Sequence, residues 1–189
     1  MLVFPNDDGS YDVLPFFWCP RDNAHQRERR DRVPYLTWAR QGLIELTPGN
    51  SIDYRHIRRR VNELGEKYRI VDIGYDPYNA SHLATELGEE DGLELVQFRQ
   101  GYLSMNEPTK ELERLVINGQ INHGGHAVLR WMAGNVTVKM DPAGNIKPDK
   151  QRSSEKIDGV VALIMAIGRA MFSDRPQRSV YESRGVLII

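Results

Sequence analysis

The sequence has 189 residues and a formal net charge of −1, with 40% hydrophobic and 27% charged residues. This composition is that of an ordinary soluble protein of one domain. A single cysteine, Cys19, excludes an internal disulfide and a cysteine-based zinc site, and no apolar run reaches the roughly 18 residues that span a bilayer. The first residues lack the basic flank of a signal peptide, so we expect a protein of the reducing cytosol.

The chain opens with residues that favour β-structure. Residues 2–4 and 11–18 predict the two strands of a hairpin, joined by a turn that contains Asp8-Gly9. The charged segment 21–32 is compatible with a solvated helix or with a loop. Residues 35–41 then predict a helix that Gly42 ends.

The middle of the chain alternates between helical and extended patterns. A helix over residues 51–65, capped by Asn50 or Ser51, is followed by a buried strand over residues 68–75. A helix over residues 80–87 and a strand over residues 93–98 come next. This order, after an opening hairpin, predicts an α/β fold with a mixed sheet.

The last third of the sequence holds two predicted helices. Glu107-Pro108 indicates the start of the first, over residues 107–118, and Ser153 or Ser154 indicates the cap of the second, over residues 155–172. We expect irregular or extended structure around Trp131. Residues 173–189 are interpreted as a C-terminal tail, in which Val186–Ile189 could add a strand.

Asp76 is the first candidate for chemistry. It follows an apolar stretch directly and precedes Pro77, so its carboxylate is expected where the chain leaves the sheet, which is where sites form in open α/β sheets. Turn formation alone would also explain an Asp-Pro pair. Asp72, four residues earlier, is a spare candidate on the same strand.

Asp158 is the second candidate, at the start of an apolar helical run. A carboxylate in the first turn is favoured by the helix dipole even without a ligand. Gly159 follows it, and an interior glycine costs up to about 1 kcal/mol, which indicates a close approach of another backbone. Two such carboxylates could converge on one metal site and support metal-dependent phosphodiester chemistry.

Basic and acidic residues alternate in blocks along the chain. Residues 21–60 carry ten Lys and Arg against five Asp and Glu, residues 61–113 carry four against twelve, and residues 114–189 carry eleven against six. If the basic blocks flank an acidic centre, they would contact phosphates; otherwise they are solvated helix faces. The candidates for phosphate contacts are Arg55, Arg58, Arg59, Arg60, Lys147, Lys150 and Arg152.

Several segments, taken in order, resemble a known family. They are Thr47–Tyr54, Tyr75–Ala80, Arg99–Gly101, Val128–Met132, Gly144–Pro148 and Lys156–Leu163. Together they resemble the C-terminal nuclease domain of the large terminase subunit of tailed bacteriophages and prophages, over roughly residues 1–172.

The resemblance implies a ribonuclease H-like mixed sheet flanked by helices, and an endonuclease that cuts concatemeric double-stranded DNA. It matches Asp76 and Asp158 to acidic residues that hold two divalent ions, for which oxygen ligands favour Mg²⁺ or Mn²⁺. It also implies the portal protein and the small terminase subunit as partners, in the host bacterial cytoplasm.

The sequence departs from the family pattern at its start. The segment Met1–Phe4 matches the family's second strand, so the first central strand and its catalytic aspartate are expected to be missing. This leaves open a metal-dependent nuclease, a catalytically silent DNA-binding or assembly module, and an unrelated α/β binding domain.

Overall fold

The computed structural model describes residues 1–78 and 80–173. In this part of the chain the strands are β1 Leu2–Pro5, β2 Tyr11–Leu14, β3 Trp18–Pro20, β4 Glu45–Thr47, β5 Ile73–Tyr75, β6 Leu95–Gln97, β7 Ile121–Asn122, β8 Val138–Met140 and β9 Ile146–Pro148. The helices are α1 Ala24–Asp31, α2 Tyr35–Arg40, α3 Tyr54–Gly65, α4 Ser81–Thr85, α5 Tyr102–Ile117, α6 Ala127–Asn135 and α7 Asp158–Ser173. A π-helical turn, Glu86–Glu90, extends α4.

The opening hairpin is confirmed. Strands β1 and β2 pair antiparallel with Val3 opposite Val13, and Gly9 in the connecting turn has a φ of +77°, which glycine adopts without strain. Strand β7 adds to β2 in parallel. The expected strand over residues 11–18 is wrong in its length, because β2 ends at Leu14 and β3 begins at Trp18. Pro15, which has no N–H to donate, lies in the break.

The remaining strands form three separate pairs. Strands β3 and β4 are parallel, β5 and β6 are parallel, and β8 and β9 are antiparallel. Both parallel and antiparallel pairing are therefore present, as an α/β fold with mixed pairing requires. Within the described residues they form small sheets of two or three strands rather than one continuous sheet.

Helix α7 is the centre of the hydrophobic core. Its side chains Val161, Ile164 and Ile167 are buried, and the helix packs against β1, β5, α5 and α6. A Cβ atom on Gly168 would lie only 2.8 Å from Pro108 Cγ, so glycine is needed where α7 crosses α5. This packing fixes the position of Asp158, the first residue of α7. None of the helices in the described part of the chain is both long and apolar enough to cross a membrane.

Two predicted element boundaries are wrong. The strand expected over residues 68–75 is limited to β5; Tyr68 lies outside any strand and packs edge-on against Phe4 at 5.1 Å between ring centroids. Helix α5 begins at Tyr102 and not at Glu107, with Pro108 in its interior. The buried contact of Pro108 with α7 accompanies the loss of one helical hydrogen bond there.

Three further local predictions are corrected. Asp53, and not Asn50 or Ser51, caps α3 by accepting a hydrogen bond from the backbone N–H of Arg55 at 3.0 Å. Trp131 lies within α6, where its ring packs 5.5 Å from that of Trp38. The last helix begins at Asp158, because Ser153 donates to the Asp149 carbonyl and closes a turn instead.

Candidate functional site

Asp76 immediately follows β5. Its Oδ1 atom accepts a hydrogen bond from the backbone N–H of Tyr78 at 3.1 Å, and its carbonyl accepts one from the N–H of Ala80 at 3.2 Å. The carboxylate thus closes the turn that ends the strand, and the residue is half-buried. Within the described residues, the second carboxylate oxygen has no hydrogen-bond partner. Turn formation therefore leaves one oxygen available to a ligand.

Asp158 begins α7 and exposes 68% of its side chain. Its Oδ1 atom forms an ion pair with the Nζ atom of Lys150 at 3.2 Å. The backbone behind it is tightly packed: a Cβ atom on Gly159 would lie 2.6 Å from Phe17 Cε1 and 2.8 Å from Met132 Sδ. The close approach expected at Gly159 is therefore made by two side chains and not by another backbone.

A series of contacts connects the two aspartates through the intervening elements. Strand β5, which ends before Asp76, is held to β6 where the N–H of Phe98 donates to the Tyr75 carbonyl at 2.8 Å. Just after β6, the Gln100 carbonyl accepts a hydrogen bond from Lys147 Nζ at 2.7 Å, which brings in β9. The segment after β9 carries the lysine that pairs with Asp158. That the two carboxylates converge on one ion remains a prediction.

The oxygen donors of these aspartates are of the type that Mg²⁺ and Mn²⁺ prefer. The set is incomplete, however, because the described residues contain no cluster of three or more His, Cys, Asp or Glu side chains that could hold a metal ion. Asp72 does not add to it. Both of its oxygens accept from the Arg169 guanidinium, at 3.0 and 2.9 Å, and its side chain is only 8% exposed.

Most of the arginines predicted to contact phosphates are in ion pairs on α3. The Arg58 guanidinium donates to both oxygens of Asp91 at 2.7 Å, and it also lies 2.8 Å from a carboxylate oxygen of Glu90. These carboxylates raise the pKa of Arg58, and the pKa of Asp91 lies below its ordinary value because Arg58 donates to it. Only 24% of the Arg58 side chain is exposed. This arginine anchors α3 to the π-helical turn.

The other three arginines of α3 differ in how strongly they are paired. Arg60 lies 2.8 Å from Glu63 and 3.2 Å from Glu45. The exposed Arg55 binds the capping carboxylate of Asp53 at 2.7 Å and lowers its pKa to about 2. Arg59 has only a distant carboxylate partner, at 3.9 Å, it is 62% exposed, and its Nη2 atom lies at hydrogen-bond distance, 2.9 Å, from the Nδ1 atom of His56. Of the α3 arginines, Arg59 is therefore the one least neutralised by carboxylates.

Arg152, a predicted phosphate contact near α7, lies beside a turn at Asp149 that was not predicted from the sequence. Asp149 is 4% exposed, and its Oδ1 accepts from the N–H of Gln151 at 3.1 Å. Burial acts to raise the pKa of Asp149, but this amide and Lys139 outweigh it and the pKa lies below its ordinary value. Arg152 lies 3.9 Å from the same carboxylate. The signal was present in the sequence, because an aspartate that bonds the N–H two residues on is a common turn former.

Lys147 has a second contact besides the Gln100 carbonyl. Its ammonium lies 5.1 Å from the centre of the Tyr102 ring, within the range of a cation–π interaction. Its position is thus defined by two contacts, whereas Lys150 is 51% exposed and is paired with Asp158. Gln100 and Tyr102 therefore position Lys147, and Asp149 lies beside Arg152.

Comparison with known proteins gives the family. Residues 1–174 match the family described as the terminase large subunit, endonuclease domain. The large terminase subunit of Enterobacteria phage HK97 is 38% identical over 165 residues, which cover 87% of this chain and 33% of that protein. Protein YmfN of Escherichia coli K12 is 36% identical over 171 residues, which cover 87% of this chain and 37% of that protein.

The structural comparison agrees. The crystal structure of the HK97 large terminase superposes with a TM-score of 0.82 at 37% identity, over 88% of this chain and 35% of that one. The chain thus spans about a third of the length of the relatives it matches. The expected α/β architecture is confirmed by this superposition. From the family match over residues 1–174 and the HK97 relationship, the chain belongs to the family of terminase large subunit endonuclease domains.

Proposed function

We propose that this chain is a metal-dependent endonuclease unit that cuts double-stranded phage DNA during packaging, with Asp76 and Asp158 as metal ligands. The observation that carries the proposal is the position of these two residues. One carboxylate follows a strand of the α/β fold, the other begins its central helix, and both lie within residues 1–174, which match the terminase endonuclease domain.

The electrostatics of the site support this role. Asp76 has a carboxylate oxygen without a hydrogen-bond partner in the described residues. Asp158 is exposed, and a metal ion could displace the ammonium of Lys150 that lies beside it. A bound Mg²⁺ or Mn²⁺, or a pair of such ions, would activate a water and stabilise the leaving oxygen. Asp76 and Asp158 would hold the metal, while Lys147 and Lys150 would contact the DNA backbone. A ribonuclease H-like arrangement is part of the same proposal.

The second candidate function is a catalytically silent DNA-binding or assembly module. It is favoured by the absence, in the described residues, of a third metal-binding side chain grouped with the two aspartates. A two-metal centre with only two carboxylates loses a principal anionic ligand. For this reason we expect slow cleavage by the chain as it stands. The packaging partners, namely the portal protein and the small terminase subunit, are proposed on the family relationship alone.

The test combines metal binding with plasmid nicking. Titration with Mn²⁺, followed by electron paramagnetic resonance, is expected to show binding that weakens in Asp76→Asn and in Asp158→Asn. Nicking of supercoiled plasmid should depend on Mg²⁺ or Mn²⁺ and fall about 100-fold in either variant, the equivalent of the several kcal/mol that a catalytic metal supplies. Asp7→Asn, in the β1–β2 turn, is the matched control and should behave as the native chain.

The outcomes separate the two candidates. Metal-dependent nicking that both substitutions abolish supports the nuclease. DNA binding without nicking, together with no measurable Mn²⁺ binding, supports the silent module. Nicking that survives both substitutions contradicts the assignment of Asp76 and Asp158.

A further inference from the structure

Helix α1 turns its acidic residues into the fold. Glu28 and Asp31, four and seven positions after the buried Ala24, share its side of the helix. The Glu28 carboxylate accepts a hydrogen bond from the N–H of Leu36 at 2.8 Å, and the Asp31 carboxylate accepts one from the Tyr35 hydroxyl at 3.1 Å. Both acids therefore hold α1 to α2 and leave the outer face of α1 without a carboxylate.

The outer face of α1 is basic. His25, Arg29 and Arg32 follow one another at intervals of four and three residues, and Arg30 lies beside them. All four side chains are exposed. Among the residues that the structure describes, neither Arg29 nor Arg32 forms an ion pair, whereas Arg30 pairs with Asp31 at 2.6 Å. Two guanidinium groups of this face are therefore not neutralised by the described part of the fold.

Arg32 has a backbone conformation that disfavours arginine. It ends α1 with a φ of +54° and a ψ of +38°, and no other described residue besides glycine has a positive φ. In this left-handed conformation the Cβ atom crowds the following carbonyl oxygen, so helix ends commonly have glycine or asparagine there. Backbone strain of this kind is concentrated at functional sites. Within the described residues no hydrogen bond or ion pair of the Arg32 side chain offsets the strain, which indicates a use for the side chain.

Helix α1 lies close to the start of α7. Burial raises the pKa of the Cys19 thiol in β3, and the charges of Arg27 and Lys156 act on the same thiol and oppose the increase. Phe17, which precedes β3, packs against the first turn of α7. Both observations bring the segment from β3 to α1 beside the residues that lead into Asp158. The basic face is thus near one of the two proposed metal ligands.

The composition of this surface favours a polyanion over a protein. None of the exposed large apolar side chains in the described part of the chain lies between residues 15 and 53. Protein interfaces have an apolar core that is depleted of charged residues, whereas double-stranded DNA has one negative charge for roughly every 1.7 Å of its axis. Residues 25 to 32 span about 10 Å, at about 1.5 Å for each helical residue. A duplex presents about six phosphates over that length.

We propose that the outer face of α1, formed by His25, Arg29, Arg30 and Arg32, binds the phosphate backbone of double-stranded DNA and aligns the duplex with the start of α7. Arg29 and Arg32 make the principal contacts, since their guanidinium groups match phosphate geometry and lack a described carboxylate partner. The inference rests on the proposed function only in taking DNA as the ligand. It holds whether or not the chain cuts that DNA.

Two substitutions of Arg32 separate its charge from its backbone conformation. Arg32→Gly removes both the charge and the strain, so the melting temperature should rise while the magnitude of the salt slope for DNA binding falls by about 0.9. Arg32→Lys keeps the charge and the strain, and it should retain the native slope. An Arg32→Gly variant that binds DNA with an unchanged slope would overturn the role of Arg32.

A double variant tests the face as a whole. In Arg29→Gln, Arg32→Gln, the magnitude of the salt slope should fall by about 1.8, at about 0.9 for each lost phosphate contact. Glutamine has nearly the helix propensity of arginine, so the melting temperature should stay near its native value. The matched control is Lys67→Gln, Lys110→Gln, which removes two exposed charges outside α1 and should retain the native slope. Fluorescence anisotropy of a labelled duplex across a salt series measures binding.

Nicking of supercoiled plasmid by the same proteins keeps this proposal distinct from the nuclease. A reduced slope in the double variant, without nicking by any of the proteins, supports the binding face and counts against the nuclease. Mn²⁺-dependent nicking together with an unchanged slope supports the nuclease and overturns the binding face. An equal reduction in the double variant and in the control also overturns it, because overall charge would then be responsible. So does a double variant that loses binding to polyglutamate but not to DNA, which would assign α1 to an acidic protein.

Discussion

The Nζ atom of Lys150 lies 3.2 Å from the Oδ1 atom of Asp158, the residue that begins the central helix α7. A divalent ion at Asp158 must therefore displace this ammonium or share the carboxylate with it. The same lysine is a candidate phosphate contact. Lys150 thus connects metal binding to DNA binding.

Replacing Lys150 should have opposite effects on the two ligands. In Lys150→Gln, Mn²⁺ binding should tighten by up to about fivefold, the range of an exposed ion pair worth at most about 1 kcal/mol. The magnitude of the salt slope for DNA binding should fall by about 0.9 if the lysine contacts a phosphate. Titration calorimetry with Mn²⁺ and DNA binding across a salt series measure the two effects.

The control for this variant is Lys110→Gln. Lys110 lies 3.6 Å from Glu107 on α5, so the substitution removes the same charge from a comparable ion pair in a different part of the fold. It should leave Mn²⁺ binding unchanged. Tighter metal binding in the control would mean that overall charge, and not competition at Asp158, is responsible.

The arginines of α3 should separate into a structural and a DNA-binding group. Arg59→Ala should reduce the magnitude of the salt slope by about 0.9, because this side chain is exposed and its carboxylate partner, Glu63, is 3.9 Å away. Arg58→Ala should leave the slope near its native value and lower the melting temperature, since it leaves the carboxylate of Asp91 without its guanidinium. If neither variant changes the slope, this face of α3 is solvated surface.

The ion pair between Arg58 and Asp91 should give a pH-dependent contribution to stability. The pKa of Asp91 is lowered in the folded protein because Arg58 donates to its carboxylate. Its contribution is therefore fully present above the ordinary aspartate pKa of about 3.9, and it is lost as the pH falls through the lower folded value.

Melting temperatures from pH 7 to pH 2.5 measure this contribution. The native chain should melt above Asp91→Asn at pH 7, and the difference should close below about pH 4. The control is Glu89→Gln, an exposed residue of the same π-helical turn. A difference that stays constant across the range would indicate that Asp91 acts through packing rather than charge.

Gly159 should tolerate no larger side chain. Gly159→Ala places a Cβ atom against Phe17 and Met132, and such overpacking costs about 1–3 kcal/mol of the free energy of unfolding. Gly134→Ala in α6 is the matched control, since nothing lies within 4 Å of its Cβ position and alanine favours the helix by roughly 0.5–1 kcal/mol. Chemical denaturation measures both.

A compensating change separates packing from other causes. Phe17→Leu should recover part of the stability lost in Gly159→Ala, because it shortens the side chain that the new methyl group meets. If the double variant is no more stable than expected from adding the two single changes, the packing explanation of Gly159 is wrong.

Local patterns in the sequence determined the opening hairpin, the apolar helix that begins near Asp158, and the family. These features depend on neighbouring residues: Asp8-Gly9 forms a turn, the apolar side chains of residues 157–168 repeat with the period of a helix, and short motifs retain their order. The turn at Asp76 and the position of Asp158 in the first turn of α7 followed from the same local rules.

Only the tertiary structure decided which charged side chains are available to a ligand. Arg58 and Arg59 are adjacent in sequence, yet Arg58 is bound by acidic residues some thirty positions away, while Arg59 is exposed. Asp72 was a plausible ligand until Arg169, 97 residues later, was found against both of its oxygens. Pairing between distant residues depends on how the elements pack, which local periodicity does not encode.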